Sequence, residues 1–115
     1  MRFLLVALAA LAAACAPSVP HAEDPDVELV SGSEVTISDD LKRCSVDSDC
    51  MLVETGCDFC CQTQAIREDA LDRYQKGFAV ACAGYRGGMC DCLTLPSEAT
   101  CVNQRCEARV TTFVQ

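Results

Sequence analysis

Cysteine is the residue type in this chain whose number and spacing could support chemistry. Eleven cysteines are present, and ten of them fall between residues 44 and 106. An even set at this density is typical of small exported domains whose folds are held by disulfides. We therefore predict five disulfides among Cys44, Cys50, Cys57, Cys60, Cys61, Cys82, Cys90, Cys92, Cys101 and Cys106.

One spacing could instead serve redox catalysis. Cys57-Asp58-Phe59-Cys60 has the C-x-x-C pattern of thiol–disulfide oxidoreductases, in which a helix N-terminus stabilises the reactive thiolate. Cys61 follows directly, the chain has no βαβ pattern, and the Asp58 carboxylate disfavours a thiolate beside it. Structural bridges are the favoured interpretation, and an oxidoreductase using Cys57 and Cys60 is an alternative.

Other catalytic or metal-dependent chemistry has weaker support. Exported cysteines are usually oxidised before they can bind zinc as thiolates. His21 is the only histidine and precedes the cysteine-rich segment, so that segment has no histidine for a Ser-His or Cys-His pair. Asp47-Ser48-Asp49 lacks the glycine and distal glutamate of a calcium loop. We predict a protein that is not an enzyme and has no metal or cofactor.

Residues 1–14 are predicted to form an export signal peptide. Phe3 to Leu11 is uninterrupted and apolar, and even a helix reaching Ala14 would rise only about 18 Å against a hydrocarbon core of about 30 Å. The run Leu11-Ala12-Ala13-Ala14-Cys15 resembles the signal peptide of bacterial lipoproteins. The resemblance implies cleavage before Cys15, diacylglycerol on its sulfur and palmitate-type acyl chains that anchor the protein. Ala16, where aspartate often marks inner-membrane retention, favours the outer membrane; an ordinary secretory peptide cut after Ala22 is the alternative.

Residues 15–40 are predicted to form the lipidated N-terminus and a tether. This stretch contains three prolines, and its charges are all acidic. The alternation in Val27-Glu28-Leu29 and Val35-Thr36-Ile37 could nevertheless pair as a hairpin. From Leu41 to Gln115 the predicted domain has ten acids and eight bases, so it lacks the basic surface of a nucleic-acid-binding protein.

The periodicity of the domain predicts an α+β fold, with one amphipathic helix packed on a short antiparallel sheet. The helix is expected from Gln62 to Ala81, where Ile66, Ala70, Tyr74 and Phe78 recur on one face. Gly77 is expected to weaken its last turn. Strands are expected at residues 50–54, at 101–102, and at 106–114 after a turn over 103–105.

Residues 44–106 resemble small cysteine-rich domains of uncharacterised exported bacterial proteins. The resemblance is carried by Cys44-Ser45-Val46-Asp47-Ser48-Asp49-Cys50 at one end and Cys101-Val102-Asn103-Gln104-Arg105-Cys106 at the other. It implies no activity. We expect a membrane-anchored protein with a structural or binding role and an unidentified protein partner. An inhibitor of a secreted hydrolase is the alternative, presenting the loop from Gly84 to Met89 with Tyr85 and Arg86 as contact residues.

Geometry narrows the disulfide pairing. A helix from Gln62 to Ala81 would be about 30 Å long, whereas bridged Cα atoms lie within about 7 Å. We therefore predict that Cys82 bonds outside the group Cys57, Cys60 and Cys61. The adjacent pair Cys60 and Cys61 should take different partners on two parts of the sheet, and Cys90 and Cys92 should likewise diverge.

Overall fold

The computed structural model of the chain describes residues 25–92 and 95–111. Within these ranges it has one α-helix and six strands. The elements are β1 (Val27–Glu28), β2 (Thr36–Ile37), β3 (Cys50–Glu54), β4 (Thr63–Arg67), α1 (Leu71–Cys82), β5 (Ser97–Val102) and β6 (Arg105–Val110). The strands form three two-stranded antiparallel ladders, β1 with β2, β3 with β4, and β5 with β6. This is a small disulfide-rich α+β domain, as predicted, but its strands form three two-stranded sheets and not the single short sheet that was expected.

The N-terminal hairpin is part of the packed domain. Val27 pairs with Ile37 across β1 and β2, so the hairpin that the alternation leaves as a possibility is present. Val27, Val35 and Ile37 are all buried in the hydrophobic core. Arg73 on α1 holds the segment from the outside, with ion pairs of 2.8 Å to Asp26 and 3.2 Å to Asp40. The packed unit therefore begins well before the boundary predicted at Leu41.

The predicted helix is wrong in its first half. Residues 63–67 form β4 instead, paired antiparallel to β3 with Met51 opposite Ile66 and Leu52 opposite Ala65. A short 3-10 turn at Glu68–Ala70 then leads into α1 at Leu71. Ile66 and Ala70 are buried in the observed structure and would also share one face of the predicted helix. Their spacing of four residues therefore does not distinguish a strand followed by a helix from one long helix. The available strand partner decides between them.

The helix α1 packs its apolar side on the core and on the first hairpin. Tyr74 is buried, and its ring centroid lies 5.6 Å from that of Phe78 one turn later. Gly77 does not end the helix, which continues to Cys82. Gly77 allows α1 to approach β1 closely, because a Cβ at this position would lie 2.8 Å from Cγ2 of Val27.

The last two strands form a hairpin around a two-residue turn. Asn103 and Gln104 have φ values of 50° and 62°, so both adopt the left-handed conformation that such turns require. The strand predicted from 101 begins earlier, at Ser97, and the one predicted from 106 begins at Arg105. Residues 112–114 of that prediction lie outside the described residues.

Candidate functional site: a disulfide-clamped surface

All ten cysteines of the described part are joined in five disulfides, as predicted. The pairs are Cys44–Cys101, Cys50–Cys106, Cys57–Cys82, Cys60–Cys90 and Cys61–Cys92. The first two attach the β5–β6 hairpin to the middle of the chain. The other three all join residues 57–61 to residues 82–92. We call these two segments together the clamped surface.

The prediction that Cys82 avoids Cys57, Cys60 and Cys61 is wrong. Cys82 bonds Cys57, with their Cα atoms 5.4 Å apart. The exclusion assumed that one helix separates residue 62 from residue 81. Because β4 runs back along β3 before α1 starts at Leu71, the chain between these two cysteines folds on itself, and the end of α1 lies beside the turn that holds Cys57.

Neighbouring cysteines diverge as predicted. Cys60 bonds Cys90, whereas Cys61 bonds Cys92. Their partners do not lie on two parts of the sheet, as expected, but two residues apart in the segment after α1. The turn and the loop are therefore bound side by side by two adjacent bridges.

The turn over residues 57–61 has an unusual backbone for its sequence. Phe59 and Cys61 have φ values of 55° and 61°, the left-handed region that non-glycine residues rarely adopt. Asp58 supports the turn by accepting the Cys60 N–H at 3.0 Å. A hydrogen bond from the Ser33 side chain, together with that of the Cys60 N–H, holds the pKa of Asp58 below its usual range despite opposing desolvation. The carboxylate is therefore a fixed acceptor inside the turn.

The loop predicted to make contacts is only partly available. Tyr85 is half-buried, and its hydroxyl donates to the Gly88 carbonyl at 2.9 Å, which folds the ring over its own loop. Gly87 leaves room for the ring in this position, since a Cβ there would overlap the Tyr85 hydroxyl. Arg86 is exposed and forms no ion pair with a described carboxylate. Of the two predicted contact residues, Arg86 is thus the one presented to solvent.

Two exposed apolar side chains join Arg86 on the clamped surface. Phe59 is 51% exposed and Met89 is 74% exposed. A hydrogen bond of 3.0 Å from the Cys90 N–H to the Asp58 carbonyl ties the residues next to them together. Sequence reasoning missed Phe59. The sequence places this aromatic between Cys57 and Cys60, and that position alone does not distinguish an exposed side chain from a buried one.

The sulfur and carboxylate groups considered for other chemistry are occupied. The sulfurs of Cys44, Cys50 and Cys106 lie close together, but each belongs to a disulfide and offers no thiolate. Asp47 accepts the Cys101 N–H at 2.7 Å. Asp49 accepts the N–H groups of Ser45 and Val46, and these bonds lower its pKa. Both carboxylates of the considered calcium motif are thus engaged in holding backbone.

No protein-family model, no curated protein and no solved structure matches this chain. In the described part of the chain, no helix has the length and apolarity needed to cross a bilayer. Cys15 and the predicted signal peptide lie outside the described residues.

Proposed function

We propose that this chain is an exported bacterial lipoprotein, anchored to the outer membrane through Cys15, whose domain binds a protein partner through the clamped surface. The observation that carries the binding role is the convergence of three of the five disulfides on that one surface. Export is supported by the same bridges, since such dense oxidation is typical of exported domains. The lipid anchor is supported by the residues before Cys15.

The exposed residues suit a binding surface. Aromatic residues, methionine and arginine are enriched in protein interfaces, and Phe59, Met89 and Arg86 represent all three types. Ordering a loop on binding costs conformational entropy, and covalent clamping lowers that cost in advance. Three bridges around two short segments therefore favour a surface that meets its partner already shaped.

The anchor is tested by replacing the sulfur. In cells that express the chain, Cys15→Ser should remove the lipid mass from the intact protein and move it from the membrane fraction to the soluble one. A matched control is Ser18→Ala, which leaves Cys15 intact. Recovery of both variants in membranes after a high-salt wash would contradict the lipoprotein assignment.

The binding surface is tested with Phe59→Ser against Val80→Ser. Val80 is 78% exposed on α1, outside the clamped surface, so it controls for loss of exposed apolar area. The oxidised variants are immobilised, and envelope proteins retained by each are quantified. We expect Phe59→Ser to lose a partner that the native protein and Val80→Ser retain. Equal retention by both variants would show that the clamped surface is not the contact.

A hydrolase inhibitor is a second candidate, favoured by Arg86. This side chain is exposed in a loop whose two ends, Cys82 and Cys90, are bridged to the same turn. The native protein should inhibit an arginine-specific serine protease, Arg86→Ala should abolish inhibition, and Arg109→Ala should not. Rapid cleavage after Arg86 would identify the loop as a substrate and refute this candidate.

The oxidoreductase alternative lacks comparable support. Cys57 and Cys60 are not bonded to each other but to Cys82 and Cys90. A C-x-x-C catalyst cycles through the bridge between its own two cysteines, so two structural bridges would have to open first. Alkylation of the denatured, non-reduced protein should label no thiol in the domain, and two reproducibly labelled thiols would revive this alternative.

A further inference from the structure

Lys42 is a buried cation without an ion-pair partner in the described part of the chain. Its residue is 8% exposed, and its ammonium lies 3.0 Å from the Oε1 atom of Gln64. No described carboxylate forms an ion pair with it. An amide oxygen accepts a hydrogen bond but does not neutralise a charge. Lys42 therefore keeps two hydrogen-bond donors that no described side chain accepts from.

Lys42 lines a cleft between β4 and β6. The cleft has a volume of about 380 Å³, and Thr63, Gln64, Arg105 and Glu107 also line it. A backbone bridge between Arg43 and Arg105 joins the segment that carries Lys42 to the start of β6. Volumes of 300–1,000 Å³ are typical of sites for small molecules. The cleft is thus large enough for a small organic ligand.

Hydrogen-bond donors are in excess in this cleft. Arg105 directs one nitrogen to Asp39 at 2.9 Å, which leaves most of its five donors for other contacts. The Thr63 hydroxyl forms no side-chain hydrogen bond with another described residue. Burial and then the repulsion of Arg105 lower the pKa of Lys42, while the charges of Asp39, Glu107 and Glu34 raise it. A bound anion would offset that repulsion.

We propose that this cleft binds a singly charged carboxylate through Lys42, Arg105 and Thr63. Carboxylate oxygens accept from ammonium and guanidinium groups in strong charge-assisted hydrogen bonds. Glu107 lies in the same cleft, and Asp39 and Glu34 also act on Lys42 from nearby. These negative charges disfavour a dianion such as phosphate. The carboxylate belongs to a small organic acid or to the C-terminus of a peptide.

The test is an NMR titration of the complete exported chain carrying Cys15→Ser, oxidised and free of lipid, with sodium acetate at constant ionic strength. We expect saturable shifts of the Gln64 side-chain amide and the Arg105 guanidinium. Lys42→Met should weaken binding at least about tenfold, the equivalent of one charge-assisted hydrogen bond. Lys76→Met, at a lysine already paired with Asp72, should leave binding unchanged. Thr63→Val is a second variant that leaves the buried charge unchanged, and it should also weaken acetate binding.

Competing probes separate the sources and can overturn the site. Trialanine binding more tightly than acetate, with no binding of trialanine amide, identifies a peptide C-terminus; equal affinity of acetate and trialanine identifies a small acid. Phosphate binding as tightly as acetate would refute the preference for a single charge. Linear, unsaturated shifts that persist in Lys42→Met would refute the site.

Discussion

Tyr74→Phe tests the contact that joins α1 to the β3–β4 ladder. The Tyr74 hydroxyl donates to the backbone carbonyl of Glu54, and the residue is 4% exposed. The Thr55 N–H donates to the Gln62 carbonyl at 2.8 Å. Because the backbone groups of successive residues in an antiparallel ladder point alternately toward and away from the partner strand, the Glu54 carbonyl points away from β4. The ladder therefore does not satisfy this carbonyl, and Tyr74 does. Phenylalanine keeps the ring but leaves the carbonyl without that donor.

We expect Tyr74→Phe to lower the free energy of unfolding by about 1–3 kcal/mol, the usual cost of a buried polar group left without a partner. For a domain of this size, each 1 kcal/mol lowers Tm by about 4–8 °C. Denaturant unfolding of the oxidised protein measures the loss. Tyr85→Phe is the control, because its hydroxyl bonds an exposed loop carbonyl and should cost less than about 0.5 kcal/mol.

Alkaline titration gives an independent check of the same contact. Burial, and then the negative charge of Glu54, raise the pKa of Tyr74. A group whose pKa is raised on folding stabilises the protein fully below its unfolded pKa of about 10 and loses that contribution as the pH rises through the folded value. Native stability should therefore fall above about pH 10, and part of that fall should be absent in Tyr74→Phe. Native and Tyr74→Phe proteins of equal stability would refute the reasoning.

Three further predictions concern the bridges, the helix and the acid range. Each bridge is removed by changing both of its cysteines to alanine, with the other four bridges intact. Loss of Cys57–Cys82 frees an effective loop of about a dozen residues and should lower the free energy of unfolding by about 3 kcal/mol, whereas loss of Cys61–Cys92 frees about five residues and should lower it by about 2 kcal/mol. The reverse order in denaturant unfolding would contradict the observed pairing. Gly77→Ala should destabilise by up to about 2 kcal/mol despite a better helix propensity, because its Cβ meets Val27, and adding Val27→Ala should recover part of the loss if that contact is the cause. The N–H groups of Ser45 and Val46 lower the pKa of Asp49, so the Asp49 carboxylate stabilises the fold above its ordinary pKa of about 3.8 and loses this effect as the pH falls through the lower pKa of the folded state. Unfolding curves of Asp49→Asn should lack this acid dependence of stability. An unchanged dependence would exclude Asp49 as its source.

Features set by local pattern could be predicted from the sequence. The number of disulfides follows from cysteine parity, and the alternation of Val27 and of Val35 to Ile37 indicates the first hairpin. The start of β3 at Cys50 and the turn at Asn103 follow from apolar runs and turn-forming residues. In each case the signal and the structure lie within a few residues of each other.

Features set by distant contacts could not be predicted. Residues 63–67 form a strand only because the turn over 57–61 reverses the chain onto β3, and that turn places Phe59 and Cys61 in a conformation for which neither residue type has a preference. The error in the helix start then propagated to the pairing of Cys82. Likewise, no spacing in the sequence brings Lys42 and Arg105 into one cleft, since the contact is made between elements far apart in the chain.

The early start of the packed domain changes how an anchored chain would present its surfaces. From Cys15 to Leu41 the chain could extend at most about 90 Å, but from Cys15 to Val27 it reaches only about 40 Å. Val27 contacts α1 at Gly77, and Cys82 follows five residues later, about 8 Å along the helix. In a protein lipidated at Cys15, the chain therefore enters the domain close to the clamped surface. With the proposed lipid anchor, a partner of that surface would therefore bind close to the membrane.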